Sequence, residues 1–141
     1  MSEASNTISG SCLCGAVAFD ITGPLDGMIA CHCSQCRKST GHYLTAFDIK
    51  RDQMHFTKDE GLKWFPSSDK ARRGFCGTCG ATLFFDFLEG HIISVAAGAM
   101  NSDTGLSIAM HIFVDDKGAY YDLSDPVPRF SQGRGSPPIT D

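Results

Sequence analysis

Seven cysteines stand in three close groups: Cys12-x-Cys14, Cys31-x-Cys33-x-x-Cys36 and Cys76-x-x-Cys79. Thiols at these spacings chelate a metal with little loop to close, and Cys-x-x-Cys is the common zinc knuckle. Seven thiolates divide into one closed four-sulfur site and one three-sulfur site with an open position. A closed four-cysteine zinc is structural, whereas three protein ligands plus an open position are the pattern of a catalytic zinc. The expectation is two zinc ions per chain, one of them working.

Spacing also suggests which thiol goes where. In extended chain, residues i and i+2 point to the same side, so Cys31 and Cys33 can face one metal together. Cys36 follows Cys33 at knuckle spacing and can turn back onto that metal, which completes a local claw. Cys12, Cys14, Cys76 and Cys79 remain, two pairs far apart, and joining them clamps a long loop. A competing partition joins Cys33/Cys36 to Cys76/Cys79 as a zinc ribbon and strands Cys12, Cys14 and Cys31. A disulfide framework is the other alternative; the odd count and the lack of a secretory pattern in Met1–Gly10 speak against it.

The elements that must hold these groups are short. The chain has 141 residues, enough for one domain with a real core, and its 42% hydrophobic and 20% charged content is that of a soluble globular protein. Net charge is -4 and the basic residues are scattered, apart from Arg37-Lys38 and Arg72-Arg73, so no nucleic-acid footprint is expected. No apolar run approaches the roughly 20 residues of a membrane span. Thiols kept for metal without an export pattern point to a reducing cytoplasm. Oligomeric state is not legible.

Thr7 to Cys12 and Ala16 to Ile21 read as a hairpin whose turn carries the first cysteine pair, the second strand showing period-2 alternation. Ser34 to Ser39 fits one helical turn ended by Gly41. Tyr43 to Ile49, His55 to Thr57, Leu62 to Phe65 and Arg72 to Phe75 read as successive strands. Thr82 to Phe87 with Ile92 to Ala97, and Met110 to Val114 with Ala119 to Leu123, read as two more hairpins. No stretch combines sustained 3.6 periodicity with caps, so the predicted class is all-β: short antiparallel sheets stapled by zinc. A tail at 1–8, a domain at 9–130 and a flexible Gly-, Ser- and Pro-rich tail at 131–141 complete the layout.

Three stretches now carry a resemblance: Gly10-Ser-Cys-Leu-Cys-Gly-Ala-Val17, Cys31-His-Cys-Ser-Gln-Cys-Arg-Lys-Ser-Thr-Gly41 and Phe75-Cys-Gly-Thr-Cys-Gly-Ala-Thr82. With Met110-His-Ile-Phe-Val114 and Tyr121 to Phe130, they resemble the glutathione-dependent formaldehyde-activating enzyme family, which shares its domain with centromere protein V. The resemblance runs from about Ser9 to Phe130, and seven cysteines in this order are a far more specific signal than one Cys-x-x-Cys. It implies a β-tent fold, a structural zinc on Cys12, Cys14, Cys76 and Cys79, and a catalytic zinc on Cys31, Cys33 and Cys36. It also implies glutathione as co-substrate and a carbon–sulfur lyase reaction that forms or cleaves S-hydroxymethylglutathione. Two other readings stay open: a lyase for a different small thiol, and a non-catalytic zinc-stabilised interaction module.

Around the claw, Arg37 and Lys38 could pair with the carboxylates of glutathione, or form a solvated surface pair. Ser39, Thr40 and Gly41 could donate to a ligand or simply make a turn. His32 should point away from Cys31 and Cys33 and be packed or hydrogen-bonded. His111 lies in an apolar strand, as core or as pocket lining, whereas His42, His55 and His91 read as surface residues. Trp64, Phe65, Phe84, Phe85, Phe87 and Phe113 are the expected aromatic core.

Overall fold

A computed structural model of the protein describes residues 7–139. Residues 1–6 of the expected N-terminal tail, and Thr140 and Asp141 of the C-terminal one, lie outside the described residues. Among the described residues there are ten strands: β1 (Thr7–Ser11), β2 (Ala18–Thr22), β3 (Met28–Cys31), β4 (Leu44–Lys50), β5 (Met54–Lys58), β6 (Leu62–Pro66), β7 (Ala71–Cys76), β8 (Thr82–Phe87), β9 (Ile92–Ala96) and β10 (Ile108–Ile112). One short helix, α1 (Ser34–Thr40), and three single 3-10 turns complete the secondary structure. The all-β expectation holds. Among the described residues, no helix is long and apolar enough to cross a membrane.

The chain forms two compact units, one taking in residues up to Asp26 with Phe47–Gly105, the other Gly27–Ala46 with the chain from Leu106 on. In the first unit β1 and β2 make the expected antiparallel hairpin, from Thr7↔Thr22 to Ser11↔Ala18, and β5 adds to the other edge of β2. A second sheet runs β9-β8-β7-β6, antiparallel between neighbours, and Ser94 of β9 donates its hydroxyl to Asp48 Oδ1 at 2.6 Å. Alternation buries Phe19 and Ile21 of β2, which join Phe47, Ile49, Leu83, Phe84 and Val95 in the core. The Phe19 and Phe84 rings meet edge to face, 5.1 Å apart.

The aromatic core differs from expectation. Phe84 is buried, but Phe65 and Phe87 are exposed and Trp64, Phe85 and Phe113 only half-buried. Along β8 the inward position next to Phe84 goes to Asp86, which is fully buried. Two cations make that possible: Arg51 lies 2.6 Å and Arg72 2.8 Å from its two carboxylate oxygens. The Arg72 guanidinium also stacks over Trp64, 3.8 Å from the ring centroid.

In the second unit β3 carries β10 along one edge. The β3–β10 pair is parallel, from Ile108↔Met28 to Ile112↔Cys31. The hairpin expected from Met110–Val114 and Ala119–Leu123 does not form. Phe113 takes a left-handed backbone (φ 57°), a 3-10 turn follows over Val114–Asp116, and Ala119–Leu123 is not a strand. The free edge of β10 is taken instead by the chain near Arg129: His111 N–H donates to Pro128 O and Phe130 N–H to His111 O, both at 2.9 Å. Beyond it Ile139 N–H returns to Arg129 O at 2.8 Å, and Phe130 bridges Pro138.

Candidate functional site

In the first unit the turn of the β1–β2 hairpin presents Cys12 and Cys14, while Cys76 ends β7 and Cys79 sits in the turn to β8. All four sulfurs lie within 4.8 Å of one another. Cys12–Cys14 and Cys14–Cys76 are each 3.8 Å apart. A tetrahedron of metal–sulfur bonds of roughly 2.3 Å has edges of about 3.8 Å. The donor set and its spacing therefore fit a tetrahedral thiolate-bound metal, and none of the seven cysteines forms a disulfide.

Backbone amides support these sulfurs. Val17 N–H donates to Cys12 Sγ at 3.3 Å, and the amides of Thr78 and Cys79 donate to Cys76 Sγ at 3.3 and 3.4 Å. Gly61 closes the cluster from the side: a Cβ there would stand 2.7 Å from the Ala16 Cβ and 3.1 Å from Cys76 Sγ. Four thiols this close cannot ionise equally without a cation among them. The Ala81 amide and neighbouring donors bring Cys79 down to about 6. The Ala16 amide favours the Cys14 thiolate, yet burial and the three other thiols outweigh it and leave Cys14 at about 11.

In the second unit Cys31, Cys33 and Cys36 bring their sulfurs within the same 4.8 Å limit. Cys31 ends β3, Cys33 is the N-cap of α1, and Cys36 is buried one turn in. Cys36 N–H donates to Cys33 Sγ at 3.3 Å, the capping bond that forms the knuckle. The Cys31 thiol is driven far above its ordinary range by hydrogen bonds with Cys33 and Cys36 and by burial. Helix α1 stops at Gly41, whose φ of 89° suits a residue without a side chain. Ser39 and Thr40 bond back to Cys36 O at 3.3 and 2.8 Å, so their hydroxyls serve the helix end. Arg37 is half-buried and Lys38 exposed on the last turn, and neither makes an ion pair among the described residues.

His32, between Cys31 and Cys33, is fully buried, as alternation predicts. Its Nδ1 is 2.6 Å from Tyr121 Oη and its Nε2 2.9 Å from His111 Nδ1; His111 Nε2 is 2.9 Å from Asp125 Oδ2. Burial, then the neighbouring His111, Lys117 and His42, lower His32 to about 4. The hydrogen bond from His111 holds Asp125 below its usual carboxylate range, and burial pushes the Tyr121 hydroxyl up. Tyr43 and His42 pack their rings against Tyr121, centroids 5.6 and 4.3 Å away, and Lys117 Nζ lies 4.5 Å from its centroid.

The sequence model of the glutathione-dependent formaldehyde-activating enzymes matches residues 7–116. This chain belongs to that family. Among relatives of this formaldehyde-activating-type domain, a Schizosaccharomyces pombe protein named as an uncharacterized lyase is 26% identical over 123 residues, 86% of this chain and 89% of the relative. A crystal structure of a Rhodobacter sphaeroides protein superposes with a TM-score of 0.59 at 21% identity, over 69% of this chain and 91% of that one. That likeness is one of fold. Sequence reading missed Tyr43, Lys117, Tyr121 and Asp125 as members of the group built around His32 and His111. The available signal was the pairing of two motif histidines, His32 and His111, with one acidic residue in the tail that follows.

Proposed function

We propose that the protein is a zinc-dependent lyase that forms or cleaves the carbon–sulfur bond between glutathione and a small electrophile such as formaldehyde. Its working metal is held by Cys31, Cys33 and Cys36, and a structural zinc by Cys12, Cys14, Cys76 and Cys79. The observation that carries this reading is the inequality of the two cysteine clusters. Four sulfurs complete a tetrahedron, whereas three leave one position for an exogenous ligand. Three thiolates and a divalent zinc sum to a charge of -1, a centre that prefers a soft fourth donor such as a thiol. Bound there, zinc would lower the pKa of the incoming thiol.

The bond changes balance without redox chemistry. In formation the thiol gives up its proton, sulfur attacks the aldehyde carbon, and the carbonyl oxygen ends as a hydroxyl; cleavage is the reverse. The chain's own residues orient the partners. Arg37 and Lys38 follow Cys36 directly on α1, and in this reading they pair with the carboxylates of the tripeptide.

A thiol-ligand titration of cobalt-substituted protein tests this. Glutathione should shift the visible spectrum of the three-cysteine site, and S-methylglutathione, whose sulfur cannot become a thiolate, should shift it far less. Equal responses would mean that the sulfur is not the ligand. No response to either, with no rate above the uncatalysed reaction of thiol and formaldehyde, would leave a zinc-stabilised interaction module as the better reading.

A further inference from the structure

We infer that His111 and Asp125 are positioning residues for the three-cysteine site, acting through His32 as a hydrogen-bond chain of fixed polarity. This rests on the reading that Cys31, Cys33 and Cys36 hold the working metal. The direction follows from the end of the chain. An ionised carboxylate only accepts, so His111 carries a proton on Nε2 and donates it to Asp125 Oδ2 across 2.9 Å. We take His111 as singly protonated, so that its Nδ1 is a lone pair and accepts the Nε2–H of His32 at 2.9 Å. His32 Nδ1 is in turn a lone pair and accepts the Tyr121 hydroxyl proton at 2.6 Å.

Every donor along the line points towards Asp125. The carboxylate is itself oriented, since its Oδ1 accepts the Val127 amide at 3.1 Å. The mechanical consequence lies at the claw. His32 separates Cys31 from Cys33, its amide donates to Ile112 O at 3.0 Å, and both of its ring nitrogens are engaged. A buried ring held at both nitrogens cannot turn, so the backbone that carries the two flanking sulfurs is held as well. A histidine needed only for bulk would require neither a second buried histidine nor a carboxylate.

Histidine ring nitrogen-15 spectra of the full metal-loaded chain, at about pH 8 so that free imidazoles are neutral, read the polarity directly. Both His32 and His111 should be Nε2–H tautomers. Asp125→Ala should mix the His111 and His32 tautomers, and Asp125→Asn, which keeps an acceptor oxygen, should restore them in part. In chelator competition Asp125→Ala and His111→Gln should weaken cobalt at the three-cysteine site by about tenfold and leave the four-cysteine site unchanged.

An Nδ1–H tautomer at His32, or a doubly protonated His111, would overturn the polarity. Unchanged tautomers and cobalt affinity in Asp125→Ala would overturn the positioning role. If His111→Gln does not fold, Asp125→Ala decides, because this side chain is 42% exposed. Tautomers and affinities as expected, without any glutathione response, would sink the lyase reading and leave this inference standing.

Discussion

A cysteine's contribution depends on what its metal would tie together, and the two clusters differ sharply in this respect. Cys79 belongs to a group that joins the β1–β2 turn to the end of β7, with Cys14 and Cys76 separated by 62 positions. Cys36 belongs to a group completed within one helical turn of Cys33. We therefore expect Cys79→Ser to cost more than about 4 kcal/mol, the range reached when a single change removes a structural metal. Cys36→Ser should remove one metal per chain and any lyase activity while the chain still unfolds cooperatively near the wild-type midpoint. Thermal unfolding with metal counts on both variants checks this. Equal destabilisation would revive the ribbon partition, in which Cys33/Cys36 and Cys76/Cys79 share one ion.

At the scale of elements, legibility followed sequence distance. The β1–β2, β6–β7 and β8–β9 pairings join neighbours through turns whose residues announce them, and Gly41 marked the end of α1. The pairing of β10 with β3 carried no such mark, because its partner lies far back in the chain and the pair is parallel. A turn-like Asp115-Asp116-Lys117-Gly118 beside it suggested a hairpin instead. Strand β8 misled for a different reason. In Leu83-Phe-Phe-Asp-Phe87 the odd positions are all apolar, yet Phe85 is only half-buried and Phe87 exposed, while Asp86 is buried with Leu83 and Phe84. Burial of Asp86 is stabilised by two arginines from other elements, which no local pattern displays. Asp86→Asn should thus cost about 2–4 kcal/mol by stranding those cations, measured by denaturant unfolding. Gly61→Ala should cost about 1–3 kcal/mol through overpacking and speed chelator removal of metal from the four-cysteine cluster. Unchanged release kinetics would mean that Gly61 does not brace Cys76.

For the whole molecule, each of the two units contains one cysteine cluster. Native protein prepared without chelator should accordingly carry two metal ions, and chelator should remove them in two phases, the three-cysteine site first. One tightly held ion with three reactive thiols would refute the two-site reading. The arrangement also has a consequence in time. During synthesis Cys31, Cys33 and Cys36 leave the ribosome together and can capture an ion at once. His111 follows His32 by 79 residues and Tyr121 by 89, so the groups inferred to position the claw leave the ribosome much later. A nascent chain halted before β10 would carry a metal-loaded claw without the parts that discipline it.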